Sequence, residues 1–185
     1  MAPSDRALAR VRRTYEIARA LTGLRGLAIA AGACVIALGL HPLSPTEWLF
    51  GALLASTLAT LGWSGGSWKR GAFAGVFAGL PPLIVPSLVF AMSAQGHCSG
   101  CGSSAEWPCL LSCFCTSSLV GLFVGHRAST DDSPRRFAFA AIATAACTGL
   151  LGCGTTGLGG ALGIVLGLIA GSVTGWVVAD RSAHV

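Results

Sequence analysis

Charge is what this sequence has least of. Only 10% of its 185 residues are Asp, Glu, Lys or Arg, while 53% are hydrophobic, a balance that ordinary soluble domains do not reach. That scarcity excludes a solvated globular surface. Length excludes more, because about six membrane-spanning helices with short loops use nearly the whole chain and leave no separate soluble catalytic domain. No Asp, Glu, Lys, Arg or His falls deep inside any apolar segment, so a proton relay or ion-coupled transport path has no carrier. The chain is not expected to be an enzyme.

A small-x-small cleavage site is missing as well. Arg12 and Arg13 precede an apolar run at 27–40, the outline of a signal peptide. However, the run leads into His-Pro-Leu-Ser-Pro-Thr-Glu at 41–47, and five more apolar segments follow. What is present reads as an all-α integral membrane bundle, one domain with spans at 24–43, 48–66, 72–92, 109–125, 137–152 and 157–179. Residues 1–23 precede the bundle and a tail at 180–185 follows it. Trp48 and Trp63 stand near the ends of the second span, where indoles favour the membrane interface.

Ahead of the first span, residues 4–22 look like a cytosolic amphipathic helix. Ser4 can cap it, and Leu8, Val11, Tyr15, Ala18 and Leu21 recur at helical spacing. Arg6, Arg10, Arg13 and Glu16 occupy the remainder. Such a basic helix lies on anionic lipid beside the first span, or it is a docking surface on which Arg6, Arg10, Arg13 and Tyr15 meet a cytosolic partner. In the third span, Pro81, Pro82 and Pro86 remove backbone donors and are expected to kink or break the helix halfway. That break would be a packing feature or a moving part.

Glycine is abundant, with 26 residues. Gly159, Gly163, Gly167, Gly171 and Gly175 fall every fourth residue along the sixth span, and Gly71, Gly75 and Gly79 do the same in the third. Lipid offers little hydrophobic drive between helices, so close backbone approach through small residues supplies the packing. The stripes serve within one chain or between two, which leaves the oligomeric state open.

Eleven of the twelve Lys and Arg residues lie in the N-terminal segment, at 67–71, at 126–136 or in the tail, the twelfth, Arg25, stands at the N-terminal edge of the first span, and the alternate loops carry only Glu47 and Glu106. The net charge of +5 therefore follows topology and does not form a nucleic-acid-binding face. By the positive-inside rule both termini are cytoplasmic and the loop at 93–108 faces out. Asp131 and Asp132, amid basic residues, read as part of a solvated loop.

Five of the eight cysteines fall within His97 to Cys115, and that stretch is the candidate functional centre. Outside a bacterial inner membrane disulfides persist. Cys98, Cys101, Cys109 and Cys153 all belong to that face, Cys113 shares a helix side with Cys109, and Cys115 does not. Three readings stand open: disulfides that sense oxidation or modification, a soft metal ion held by Cys98, Cys101 and Cys109 with His97 or Cys153, or disulfides that only staple loops. A lone CxxC without a second pair is not the usual zinc pattern, and no other cofactor is implied. Cys34 and Cys147 read as small buried apolar residues.

The Trp107-Pro108-Cys109-Leu110 opening of the fourth span is followed by a polar loop, a small-residue fifth span, Cys153 and a glycine-rich sixth span. This pattern, from about residue 100 onward, resembles the six-span bacterial membrane anti-sigma proteins of the NrsF type, negative regulators of extracytoplasmic-function sigma factors. The resemblance implies a multi-pass inner-membrane protein that holds a sigma factor inactive and releases it under oxidative or heavy-metal stress. It implies sensing through one cysteine before the fourth span and one between the fifth and sixth, here Cys109 and Cys153. Cys98, Cys101, Cys113 and Cys115 stand outside that two-cysteine pattern. The rival class is a transporter or thiol relay for a soft metal or reducing equivalents, with Cys34, Cys113, Cys115 and Cys147 as inner steps. A structural membrane subunit with disulfide staples is the third.

Overall fold

An apolar chain deprived of water must satisfy its backbone internally, and helices do so within each segment. The computed structural model describes residues 3–40, 45–95, 106–153 and 157–182, with the side chains of 3–7, 9, 40, 86, 87, 89–95, 106–109, 153, 157 and 158 excepted. These residues form six helices: α1 (Pro3–Leu40), α2 (Pro45–Ser64), α3 (Gly66–Gln95), α4 (Glu106–Ser129), α5 (Pro134–Cys153) and α6 (Gly157–Ser182). Three are long and apolar enough to cross a membrane, over Arg10–Gly39 in α1, Leu110–Ser129 in α4 and Gly159–Ser182 in α6. By that measure the chain is a membrane protein.

The start and turn signals explain the boundaries. Pro45 and Pro134 each open a helix, at the position where no backbone donor is needed, and the Ser133 carbonyl accepts the Phe137 N–H at 3.1 Å. Between α2 and α3, Gly65 and Gly66 take positive φ values of 73° and 54°, a turn that residues with a side chain resist.

Small residues take a large share of the core, and many bulky ones lie outside it. Buried positions are rich in alanine, among them Ala30, Ala33, Ala37, Ala72, Ala140, Ala141 and Ala145, while Leu119, Val35, Phe77 and Phe139 point outward. A lipid-facing surface is as apolar as the side chains on it, so bulky residues lose nothing there and small ones let backbones meet.

Backbone contact defines the topology. α4 packs along α6 and α3 along α5 more extensively than any other pair. Gly163 meets Leu110, Gly167 meets Phe114, Gly171 meets Ser118 and Gly175 meets Leu122, so α4 and α6 run parallel. Gly71, Gly75, Gly79 and Gly152 meet Phe137, Ala141, Ala145 and Leu83 in the same rising order, so α3 and α5 are parallel too. α1 and α2 are antiparallel, with Gly26 against Leu58 and Gly62 against Thr22.

Several expectations change. The helix at 4–22 is not a separate surface element, since α1 runs unbroken from Pro3 to Leu40; Gly23 alone does not interrupt a run with no proline after Pro3. α3 is likewise continuous through its prolines, and Pro82 is fully buried beside Gly149 of α5, which leaves room for the ring. Glu47 and Glu106, expected in loops, lie in first helical turns. Glu47 is buried there, where a carboxylate faces the positive end of the helix dipole.

Candidate functional site

The chemistry separates to the two ends of the bundle. At one end stand the last residues of α1, α3 and α5 and the first of α2, α4 and α6. Gly51 of α2 approaches both Cys34 of α1 and Leu151 of α5, and Gly149 approaches Ile164 of α6. Cys109 occupies the first turn of α4 and Cys153 is the last residue of α5, so their backbones share this end. Their side chains lie outside the described residues, as do His97, Cys98 and Cys101 altogether.

One turn below Cys109, Cys113 is completely buried beside Gly163 of the α6 stripe. Cys115 is exposed on the outer side of α4, so the two thiols diverge as helical spacing requires. Cys34 and Cys147 are partly buried against the cluster built around Leu54, Leu58, Leu83 and Leu151, and Cys113 belongs to the other cluster with Val124, Phe137 and Ile164. Cys34 and Cys147 thus share one part of the core, Cys113 sits in the other, and Cys115 lies outside both. Among the described residues no group of three metal-ligating side chains occurs; the metal reading rests on His97, Cys98, Cys101 and Cys109, whose side chains are not among them.

The opposite end carries the basic residues. Here α1 extends past its partner: Thr22 faces Gly62 near the end of α2, and residues 10–18 are all exposed. The sixteen residues from Pro3 to Ala18 correspond to roughly 24 Å of projecting helix at 1.5 Å per residue. Leu8, Val11 and Tyr15 are 69%, 66% and 60% exposed, with Arg10 and Arg13 exposed beside them and Arg6 outside the described side chains. Arg12 and Glu16 pair at 3.0 Å along the same helix.

At the base of the projection, Arg19 Nε donates to the Trp63 carbonyl at 2.8 Å. Its guanidinium lies 5.3 Å from the Tyr15 ring centre and 5.4 Å from that of Trp63. A cation between two rings and on the last carbonyls of α2 is held by ring quadrupole and helix dipole together. Arg19 therefore pins the projecting helix to the bundle. Its partners are 4 and 44 residues away, so spacing along α1 offers only the Tyr15 half of the clue.

Of the two acids in the turn after α4, Asp132 is solvated as expected, with 88% of its side chain exposed, and Asp131 is not. Asp131 has only 8% of its side chain exposed and meets Arg70 Nε at 3.1 Å, while Asp132 meets Arg70 Nη2 at 2.9 Å. The Ser67 hydroxyl, the Ser133 N–H and Arg70 all donate to Asp131, and they hold its carboxyl below the ordinary carboxylate range. Arg70, bonded first to Asp132 and attracted by Asp131, is raised above its ordinary value. The two acids thus tie α3 to the α4–α5 turn.

The glycine stripes also have answering partners that the sequence reading did not single out. Gly121 and Gly125 of α4 lie against Leu168 and Ser172 of α6, and their four-residue spacing is a legible signal. Between α3 and α5 the Thr144 hydroxyl donates to the Ala72 carbonyl at 3.0 Å.

No protein-family model, curated protein or solved structure matches the chain.

Proposed function

We propose that this chain is an inner-membrane regulatory protein whose projecting α1 helix holds a cytosolic partner, a sigma factor, in an inactive state. Thiols at the opposite, outward end set the strength of that hold. The observation that carries the reading is the continuity of α1: one helix joins the bundle to an exposed apolar stripe of Leu8, Val11 and Tyr15 flanked by Arg10 and Arg13. A docking face that is rigidly part of a membrane helix can be moved by events across the bilayer. A stripe of this composition on a separate surface helix would report only its own lipid contact.

In this reading Cys109 and Cys153 are the sensing pair, with Cys98 and Cys101 beside them. Their oxidation to a disulfide gives two electrons and two protons to an external oxidant. The new bond links the start of α4 to the end of α5, and the helices respond as packed bodies, moving α1 and weakening its grip. A soft metal bound as thiolates would act on the same two helix ends.

The test has two arms. The bound partner is captured with the intact chain from bacterial membranes, and Leu8→Asp with Val11→Asp should abolish capture while leaving the bundle folded, since both side chains are exposed. In parallel, Cys109→Ser and Cys153→Ser should abolish the response of a sigma-dependent reporter to diamide or cadmium. An unchanged reporter response in both serine variants, or undiminished capture by the aspartate variant, overturns the proposal.

A further inference from the structure

A groove of about 620 Å³ runs between α3 and α4 on the outer face of the bundle. Its walls are Ala74, Phe77, Ala78, Leu119, Val120 and Phe123, all apolar, with Thr116 towards one end and Arg127 at the other. There it adjoins a second hollow of about 480 Å³, which shares Ala74 and Arg127 with the groove and adds Lys69, Arg70, Thr130 and Asp131. An apolar channel thus opens directly into a polar, basic cup.

Three features narrow the occupant. The first is length: along α4 the groove extends from Thr116 to Arg127, which at 1.5 Å per residue is about 16 Å. Half of a hydrocarbon core of about 30 Å is about 15 Å, so the groove matches a single leaflet. The second is the sign of the charge. Arg70 is already matched by Asp131 and Asp132, whereas among the described residues Lys69 and Arg127 make no ion pair, and both line the cup. The third is shape, because Phe77 and Phe123 face outward beside the smaller Ala74 and Ala78 and leave a slot between ridges.

We infer that this composite groove is a binding site for one anionic glycerophospholipid in the leaflet bordering the basic end. An acyl chain lies between α3 and α4, and the phosphate sits between Lys69 and Arg127. The Arg70–Asp131–Asp132 cluster forms the wall of the cup and keeps the α4–α5 turn against α3, so Arg127 stays over the groove. A zwitterionic lipid fits the slot equally well but brings its own cation to the two unpaired charges. The site rests on the membrane character of the chain and is independent of any sigma-factor partner.

The test uses the full chain in detergent micelles, with dioleoyl phosphatidylglycerol or dioleoyl phosphatidylcholine added and bound lipid counted by native mass spectrometry. One molecule of phosphatidylglycerol should be retained at concentrations where phosphatidylcholine is lost. Lys69→Gln with Arg127→Gln should weaken phosphatidylglycerol binding about twenty-five-fold, near fivefold for each charge, and leave phosphatidylcholine unchanged. Arg136→Gln, exposed at the same end but outside the cup, should change neither. Ala78→Leu, which fills the slot, should weaken both lipids. Equal retention of the two lipids overturns the inference, as does an Arg136→Gln effect as large as that of the double variant, which would mean diffuse surface charge. Displacement of the lipid by excess glycerol phosphate overturns it too, since the cup would then be a site for a soluble anion.

Discussion

Replacing Gly75 by alanine tests whether backbone-on-backbone packing holds α3 to α5. The added Cβ would fall on the Thr144 hydroxyl and the Ala141 carbonyl, and 2.7 Å from the Ala141 Cα. Carbon atoms settle at about 3.5 Å or more, so Ala141 must retreat by about 0.8 Å. None of that can be absorbed by a rotamer change, because two of the three obstacles are backbone. The same retreat stretches the Thr144 hydroxyl bond to the Ala72 carbonyl from 3.0 Å beyond hydrogen-bonding range. Overpacking of this kind costs about 1–3 kcal/mol, and an interhelical hydrogen bond in a membrane bundle averages about 0.6 kcal/mol. The gain in helix propensity returns about 0.5–1 kcal/mol, leaving a net loss of about 1–3 kcal/mol. Gly32→Ala is the control, since a Cβ there meets nothing within 4 Å and only the propensity gain remains. Reversible unfolding of the two variants in mixed micelles should separate them by at least 1 kcal/mol or so. Thr144→Ala in the Gly75→Ala background should recover part of the loss. Equal stability of Gly75→Ala and Gly32→Ala refutes the packing account.

Two further outcomes are expected. Because the Asp131 carboxyl is held below its ordinary value of about 3.9, its contribution to stability is complete above that value and is lost as pH falls through and below it. Asp131→Ala should lower stability by roughly 0.5–1 kcal/mol at neutral pH, a figure reduced for the exposure of Arg70 and Asp132, and the gap in thermal unfolding between variant and parent should narrow as pH is lowered progressively below about 3.9. A difference that does not narrow at all as pH falls below that value contradicts the pairing. A maleimide should modify Cys115 in the folded chain held in short-chain detergent at alkaline pH, where water reaches the thiol and ionises it, since it lies on the outer side of α4 within a shallow hollow shared with Ser118 and Thr174. Cys113, completely buried, should react only on unfolding; mass spectrometry of the labelled peptide decides this, and equal rates for the two would contradict the assigned face of α4.

Much of the helical framework was readable because glycine, proline and charge act locally. Pro45, Pro134 and the Gly65-Gly66 turn mark helix edges by their own chemistry, and the stripe from Gly159 to Gly175 announces a close approach. What the stripe cannot announce is which helix answers it. The partner is α4, two helices earlier, and the pairings from Gly163 with Leu110 to Gly175 with Leu122 reveal this. The break expected in α3 was misjudged for a related reason. Proline removes a donor within its own helix, but whether the helix then breaks depends on what packs against the ring, and Pro82 is enclosed beside Gly149. Asp131 is the same lesson in charge: a carboxylate in a polar loop looks solvated until Arg70, 61 residues away, is brought to it.

The packing also sharpens where a signal across this bundle would have to travel. Along α4–α6 and α3–α5, glycine puts backbone on backbone, so those pairs have no slack and would move as single bodies. The α1–α2 pair joins the rest through side chains, with Leu54 and Leu58 of α2 in one buried cluster with Leu83 of α3 and Leu151 of α5. Interfaces between side chains can slide by small steps, as in shear motions between packed helices, where jammed backbones cannot. Arg19 fastens α1 to the end of α2, so sliding of the pair would carry the projecting helix with it. In the proposed switch, the thiols at the ends of α4 and α5 therefore act by tilting the glycine-locked block, and the leucine seam along α2 is where the tilt becomes a displacement of Leu8, Val11 and Tyr15.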